Sequence, residues 1–276
     1  MGSTRIKFCG VTRAQDADYA VSLDAWAVGM ILWPNSPRAV SLEQGAEIAA
    51  VLRRRAEIVG VFVNPSLDEV VRAADMLGLT MLQFHGQEGP NFCGEAGRRT
   101  GCRVIKAARV QGGADIQALS AFHTDFHLLD SYVAGVPGGS GETFAWELAA
   151  EHRRTAPSLR QGERIPLILS GGLTPENVGE AVKLVQPYAV DVASGVELSP
   201  GIKIPERMRA FAEAVAAADP VEVSEEAESE DLESAESGDA NSSAGTSDAA
   251  ELASPATAPA EDAEVAAPVR TDGEAA

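Results

Sequence analysis

Two side chains that can exchange protons, Cys9 and Asp130, each end a short apolar segment of the chain. An uncompensated carboxylate at the end of a buried strand is costly, so Asp130, which follows Phe126–Leu129, points to a function. A cysteine in an apolar strand is more often a small core residue than a reactive one, and that alternative stays open for Cys9. If the two side chains face each other across a cleft, they form a general base and a general acid that can move a proton from carbon to oxygen.

Two glycine-bearing turns point to a second kind of chemistry, the binding of an anion. One turn contains Gly171 and Gly172, and the other contains Ser194 and Gly195. Glycine lets backbone N–H groups approach a phosphate closely, and a following helix N-terminus adds a favourable dipole. A single turn of this kind is more often a plain tight turn, but the pair favours a phosphorylated small-molecule ligand.

The elements that must position these residues follow from the alternation of apolar and amphipathic segments. From Arg5 onward, short β-branched or apolar segments alternate with segments of helical period, which is typical of a parallel sheet wound with helices. Eight such units predict a (β/α)8 TIM barrel of the α/β class. The predicted strands are Arg5–Cys9, Ala27–Ile31, Ile58–Val63, Met81–Phe84, Arg103–Ala107, Phe126–Asp130, Pro166–Ser170 and Ala189–Val192.

In such a barrel the active site lies at the C-terminal ends of the strands. Cys9, Asp130 and both glycine turns fall there, as do Arg38 after the second predicted strand and His85 after the fourth. The sequence Thr174-Pro175 predicts that the seventh helix begins directly there, with the threonine hydroxyl as its cap.

The composition is compatible with one barrel followed by an acidic tail. The chain has 276 residues, 45% of them hydrophobic, and a barrel typically needs about 250 residues. Residues 219–276 hold 17 of the 41 acidic residues and one of the 22 basic ones, so the net charge of -19 comes mostly from this segment. It has almost no large apolar side chains and cannot offset the entropy of ordering. We therefore expect a barrel domain at 1–218 and a disordered tail at 219–276.

The remaining composition excludes several functional classes. The sequence has no basic stripe that would indicate a nucleic-acid partner. It also has no apolar stretch of about 18 residues that would indicate a membrane span. Cys9, Cys93 and Cys102 lack the paired spacing of a metal or redox site. We expect free thiols, no bound metal and a cytoplasmic location.

The motifs together resemble the phosphoribosylanthranilate isomerase family over nearly all of residues 5–217. The resemblance is carried by Lys7–Thr12, Ser36–Arg38, Val59–Asn64, Gln83–Gly86, Leu128–Asp130, Gly138–Phe144, Leu169–Leu173 and Val190–Glu197. It implies an isomerase of tryptophan biosynthesis that performs an Amadori rearrangement without a cofactor, as a monomer or a homodimer.

The resemblance also implies roles for individual residues. Asp130 would be the general acid and Cys9 the general base, while Arg38 would hold a carboxylate of the substrate. The phosphate would bind around Gly171, Gly172, Ser194 and Gly195, with Asp191 close to the substrate. For His85, direct contact with the substrate and a hydrogen bond within the rim are equal alternatives. The chain departs from the family at Ala193, where a serine is usual, and the lost hydroxyl would weaken phosphate binding slightly.

Two other functional hypotheses stay open at this point. A related barrel enzyme could share the phosphate site and catalyse another reaction, but it would need a different acid–base set, such as paired aspartates or a lysine. A barrel without activity could bind a partner through its acidic tail. The presence of Cys9, Arg38 and Asp130 together argues against this, and a turnover assay decides it.

Overall fold

The structure, a computed structural model, describes residues 3–110, 112–130, 140–160 and 163–219, with the side chains of 140–145 and 159–160 left aside. Eight parallel strands close into a barrel in the order in which they follow along the chain, and β8 pairs with β1. The barrel strands are β1 Arg5–Cys9, β2 Ala27–Ile31, β3 Glu57–Phe62, β4 Met81–Phe84, β5 Arg103–Arg109, β6 Phe126–Asp130, β7 Leu167–Ser170 and β8 Ala189–Val192.

This architecture confirms the predicted fold class, and all eight predicted strands are present. Their ends differ by one or two residues: β3 lies one residue earlier than predicted, β5 continues to Arg109, and β7 begins at Leu167. The closure places Lys7 opposite Asp191 in the pairing of β1 with β8, and Cys9 opposite Gly29 in the pairing of β1 with β2. Two antiparallel pairs, Ser158–Arg160 with Glu163–Arg164 and Glu197–Ser199 with Ile202–Lys203, lie outside the barrel.

The helices lie between and after the strands, and several have local sequence causes. Ser41 and Ser66 each form a capping box, with Gln44 and Glu69 respectively. Gly78 ends the third helix in the left-handed conformation that glycine adopts at low cost. The helices are α1 Ala14–Ser22, α2 Leu42–Leu52, α3 Leu67–Leu77, α4 Pro90–Thr100, α5 Gly113–Leu119, α6 Ser140–Thr155, α7 Val178–Val185 and α8 Pro205–Ala218. In the described part of the chain, no helix is long and apolar enough to cross a membrane.

The start of α7 corrects the prediction from Thr174-Pro175. Residues 175–177 form a turn, and α7 begins only at Val178. The Asn177 side chain accepts a hydrogen bond from Thr174 N, and the Thr174 hydroxyl accepts one from Glu176 N. These local side-chain bonds give the backbone an alternative to the first helical turn.

Two packed layers hold the barrel together. Inside the barrel lies a cluster that includes Val59, Met81, Ile105, Leu128 and Ile168. Between the strands and the helices lies a larger cluster, to which α8 contributes Met208, Phe211 and Val215. Burying both faces of each strand is what a parallel sheet requires.

The predicted division of the chain falls partly beyond this description. The helix α8 ends at Ala218. Residues 220–276, which make up almost all of the predicted acidic tail, lie outside the described residues. The boundary between domain and tail therefore stays a prediction.

A pair of buried histidines joins β6 to α6, away from the barrel mouth. His127 Nδ1 lies 3.0 Å from His152 Nε2, and His127 Nε2 donates to the carbonyl oxygen of Phe122 at 2.9 Å. Burial lowers the pKa of His127 to about 4. The nearby His152 and His123 also lower this pKa, while the hydrogen bond to the Phe122 carbonyl raises it. Burial also lowers the pKa of His152. The folded protein therefore holds both rings neutral at ordinary pH.

Acidification is therefore expected to destabilise the fold through this pair. In the unfolded chain His127 takes up a proton near pH 6.5, but in the folded protein it does so only near pH 4. The contribution of His127 to the stability of the fold is therefore complete above pH 6.5 and is lost as the pH falls towards 4. From pH 7 to pH 5 the free energy of unfolding should fall by about 2 kcal/mol on account of His127. Urea unfolding at both pH values measures this loss.

The variant His127→Leu separates this loss from other titrations. It should be less stable than the parent at pH 7, but its stability should fall less between pH 7 and pH 5. Leu129→Val, a buried substitution without a titratable group on the same strand, serves as the control and should keep the parent's pH dependence. An equal fall in His127→Leu and in the parent would refute the explanation.

Candidate active site

A cavity of about 600 Å³ opens at the C-terminal ends of the barrel strands. Of the nine residues predicted for the site, eight line it: Cys9, Arg38, His85, Asp130, Gly171, Gly172, Asp191 and Ser194. The ninth, Gly195, lines an adjoining groove together with Gly172 and Ser194. The structure thus brings together residues that are up to 186 positions apart in the sequence.

A second cavity, of about 560 Å³, lies at the N-terminal ends of the strands. Arg5, Leu167 and Tyr188 contribute to its walls. The acid–base residues predicted from the sequence all line the cavity at the opposite end, so we place the candidate active site there.

Cys9 ends β1 inside the barrel mouth, and a buried ion pair lies beside it. Lys7 Nζ contacts Asp191 Oδ1 at 2.8 Å, and both side chains are almost completely buried. A Cβ atom added at Gly29 would lie 3.0 Å from Cys9 Sγ and 3.1 Å from Lys7 Nζ, so glycine leaves the space that the two side chains share. Asp191 also accepts a hydrogen bond from the Ser170 hydroxyl at 3.2 Å.

Opposing charges act on the ionisation of the Cys9 thiol. Burial raises the pKa of Cys9, and the negative charge of Asp191 raises it further, while Lys7 and Lys203 lower it. Burial alone would lower the pKa of Lys7, but Asp191 and Cys9 together more than offset this and raise it. Lys7 is therefore a permanent cation next to the thiol, and it favours the thiolate that a general base needs.

Asp130 ends β6, and His85 lies beside it at the rim. His85 Nε2 lies 3.4 Å from Asp130 Oδ2, and both side chains are partly exposed to the cavity. The other ring nitrogen of His85 lies 3.5 Å from Gln83 Nε2. Both alternatives for His85 are compatible with this position, since the ring contacts the rim and also lines the cavity.

Arg38 is held in place by Glu197, which follows β8. The Nε and Nη2 atoms of Arg38 donate to the Glu197 carboxylate at 2.7 to 3.0 Å. Lys203 Nζ contacts the same carboxylate at 2.9 Å and donates to the carbonyl oxygen of Cys9 at 2.5 Å. A Cβ atom at Gly10 would lie 2.6 Å from Arg38 Cδ, so Arg38 can cross the chain after Cys9 only because residue 10 is glycine.

The two glycine turns lie in contact with each other. Gly171 and Gly172 have φ values of 96° and 63°, in the left-handed region that glycine adopts readily. A Cβ atom at Gly195 would lie 1.9 Å from the carbonyl oxygen of Leu173, so no side chain fits where the turns meet. Arg207 Nε donates to the Gly195 carbonyl at 2.8 Å, and Arg207 lines the adjoining groove with the two turns.

Sequence reasoning missed several residues of this site. Lys7, Gln83, Arg109, Glu197 and Lys203 line the cavity or contact the predicted residues. A signal was present for two of them, because a charged or amide side chain within an apolar strand, such as Lys7 and Gln83, is costly to bury without a role. Among the described residues, no group of three or more His, Cys, Asp or Glu could hold a metal ion.

Comparisons with known proteins identify the family of the chain. The sequence profile of the family described as N-(5'phosphoribosyl)anthranilate (PRA) isomerase matches residues 6–214. The N-(5'-phosphoribosyl)anthranilate isomerase of Pseudomonas fluorescens SBW25 is 46% identical over 217 residues, which are 78% of this chain and 97% of the relative. That of Ralstonia pickettii 12J is 44% identical over 220 residues, covering 78% and 94%.

Solved structures give the same result. The crystal structure of phosphoribosyl anthranilate isomerase from Thermotoga maritima is 35% identical, with a TM-score of 0.68, covering 78% of this chain and 99% of that one. Another crystal structure of a phosphoribosyl anthranilate isomerase, in complex with reduced 1-(o-carboxyphenylamino)-1-deoxyribulose 5-phosphate, is 33% identical with a TM-score of 0.66, and the coverage is again 78% and 99%.

The closed barrel, with side chains that can exchange protons and two glycine turns at its C-terminal mouth, defines the class: a (β/α)8-barrel enzyme. With the profile match over residues 6–214 and relatives at 44 to 46% identity, the family is also shown. The chain belongs to the N-(5'-phosphoribosyl)anthranilate isomerase family, and it is an isomerase.

Proposed function

We propose that this chain catalyses the Amadori rearrangement of N-(5-phosphoribosyl)anthranilate to 1-(2-carboxyphenylamino)-1-deoxyribulose 5-phosphate in tryptophan biosynthesis. The observation that carries the proposal is that Cys9 and Asp130, on β1 and β6, line one cavity together with Arg38 and the glycine turns. A substrate with a phosphate, a carboxylate and a sugar between them matches these groups in number and in kind.

In the proposed reaction, Asp130 and Cys9 each transfer one proton. Asp130 gives its proton to the furanose ring oxygen as the ring C–O bond breaks, which leaves a protonated Schiff base. The Cys9 thiolate then removes the proton from C2 of the ribose, and the electron pair of that C–H bond forms the enolamine. Tautomerisation adds a proton at C1 and removes one from the C2 hydroxyl, giving the ketone. Exchange with solvent returns a proton to Asp130 and removes one from Cys9.

The remaining residues of the cavity would bind and orient the substrate. Backbone N–H groups of the glycine turns suit the phosphate. Because Ala193 stands where a serine is usual, the site lacks one hydroxyl donor, but these N–H donors remain. Asp191 has a second role in this proposal, since it also anchors Lys7 beside the thiol. His85 would contact the sugar or orient Asp130.

Turnover of freshly prepared N-(5-phosphoribosyl)anthranilate by the purified full chain tests the proposal. Consumption of this fluorescent substrate is followed in time, with a heat-denatured sample as the blank. Catalysed loss of fluorescence with formation of the ribulose product is expected. Absence of turnover by folded protein would refute the function.

Arg38→Lys is expected to weaken substrate binding more than the fold. One edge of the Arg38 guanidinium is occupied by Glu197, and its planar fork leaves the other edge for a substrate carboxylate. A lysine ammonium cannot bind both groups in this planar way, so kcat/KM should fall by about tenfold or more, largely through KM. Steady-state kinetics with parallel thermal unfolding measure both effects. Arg55→Lys, in an exposed pair with Asp18, is the matched control, and an unchanged kcat/KM in Arg38→Lys would contradict the assignment.

Two further points of the proposal concern the setting of the enzyme. One related structure describes monomers generated from a dimeric phosphoribosylanthranilate isomerase of Thermotoga maritima, and for this chain monomer and homodimer remain equal proposals. A cytoplasmic location is also proposed, in keeping with three free cysteines.

A further inference from the structure

Gln83 contributes an unpaired polar atom to the wall of the active-site cavity. It lies on β4 two residues before His85, and its side chain is 1% exposed. Within the described part of the chain, Gln83 Oε1 is the one buried side-chain nitrogen or oxygen without a hydrogen-bond partner. Native proteins satisfy nearly all such atoms, so an exception in an active site calls for a ligand.

The neighbours of Gln83 do not supply the missing hydrogen-bond partner. His85 Nδ1 is the contact that the amide makes, at 3.5 Å from Gln83 Nε2. Only one of the two polar atoms of an amide can face that ring nitrogen, so turning the amide by half a rotation exchanges the atoms and still leaves one unpaired. Along the sheet, the flanking residues are Val61 on β3 and Ile105 on β5, whose side chains have no polar atoms.

The chemistry of the proposed substrate limits which group can satisfy Gln83. Its phosphate and its carboxylate only accept hydrogen bonds near neutral pH, and they do not suit an unpaired carbonyl oxygen. A sugar hydroxyl both donates and accepts, so it suits either orientation of the amide. The position agrees, because His85, the first residue after β4, lies 3.4 Å from Asp130, which would act on the sugar ring.

We propose that Gln83 is a substrate-binding residue that hydrogen-bonds a hydroxyl group of the sugar between the two anionic ends. This assignment rests on the proposed function. The free protein keeps a buried polar atom unpaired, at a cost in stability, so that the bound sugar can complete the pair. Gln83 would thereby distinguish a hydroxylated sugar from an analogue that lacks the hydroxyl, since a buried amide left unpaired disfavours the analogue.

The substitution Gln83→Met tests this because stability and activity should move in opposite directions. Methionine has a similar length and no unpaired amide, so the melting temperature should rise by about 2–4 °C. Loss of the hydrogen bond to the sugar should lower kcat/KM by about 10- to 100-fold. It should also weaken binding of the product analogue, reduced 1-(o-carboxyphenylamino)-1-deoxyribulose 5-phosphate, as measured by calorimetry. Binding of inorganic phosphate should not change. Met81→Leu, a buried substitution two residues earlier on β4, controls for repacking and should leave kcat/KM unchanged.

A double-mutant cycle separates a direct bond from an effect through His85. If Gln83 contacts the sugar, Gln83→Met should lower kcat/KM by a similar factor in the parent and in a His85→Ala background. If Gln83 acts only by orienting the histidine, its effect should vanish in that background, which would overturn the proposal. Unchanged kcat/KM and unchanged binding of the analogue in folded Gln83→Met, with the parent active, would also overturn it. An inactive parent would instead refute the proposed function, while binding of the analogue would still report on Gln83.

Discussion

Cys9→Ser is expected to lower kcat by at least about 10²- to 10⁴-fold, the range typical of a lost general base. A serine hydroxyl is far harder to ionise than a thiol, and the adjacent Lys7 ammonium cannot make up this difference. Substrate binding should be nearly unchanged, because the proposed phosphate and carboxylate contacts come from other elements. Single-turnover kinetics together with binding of the reduced product analogue measure the two quantities separately.

Cys93→Ser is the matched control for this prediction. Cys93 is completely buried in α4 and does not line the cavity. Its replacement should lower the melting temperature and leave kcat of the folded fraction unchanged. The same pattern at Cys9, a lower melting temperature with near-normal kcat, would mean that Cys9 is only a small core residue.

Asp130→Asn is expected to lower kcat by a similar factor of about 10²–10⁴. The asparagine keeps the shape of the side chain but has no acidic proton to give, so the furanose ring should not open. The variant should still bind the reduced product analogue, which requires no ring opening. A spectroscopic assay for the opened intermediate, under single-turnover conditions, should show none.

Asp125→Asn, just before the other end of β6, provides the comparison. The Asp125 carboxylate accepts a hydrogen bond from Val104 N at 2.7 Å, so its loss should reduce stability while turnover remains. If Asp130→Asn behaved like Asp125→Asn, with turnover retained and stability reduced, the role of Asp130 as general acid would be excluded.

Local patterns were sufficient to predict most of the fold. Eight apolar strands separated by amphipathic helices leave few arrangements other than a closed barrel, and the order of the strands then follows from the chain. The start of α7 was predicted wrongly because Thr174 and Asn177 bond to nearby backbone groups in a turn. Such competition between a turn and a helix depends on side-chain geometry that the sequence shows only in part.

The site was predictable where a residue ends a strand, and less so where distant residues pair. The fold rule alone places Cys9 and Asp130 at the mouth. Arg38 and Glu197 are 159 positions apart, and Lys7 and Asp191 are 184 apart. No local pattern indicates such pairs, because the closure of the barrel creates them. The unpaired atom of Gln83 is likewise visible only when all of its neighbours are known.

The contact between Arg38 and Glu197 bears on the distance between the two ends of the proposed binding site. Glu197 follows Ser194 of the second glycine turn by three residues, so the group proposed to hold the carboxylate and the turn proposed to hold the phosphate are tied to one short piece of chain. The span between the two anchors is then set by that short piece of chain together with the Arg38–Glu197 ion pair. An enzyme built in this way selects ligands by their length as well as by their charge. Changing the length of that short piece of chain is therefore the natural route to a barrel that accepts longer or shorter dianions.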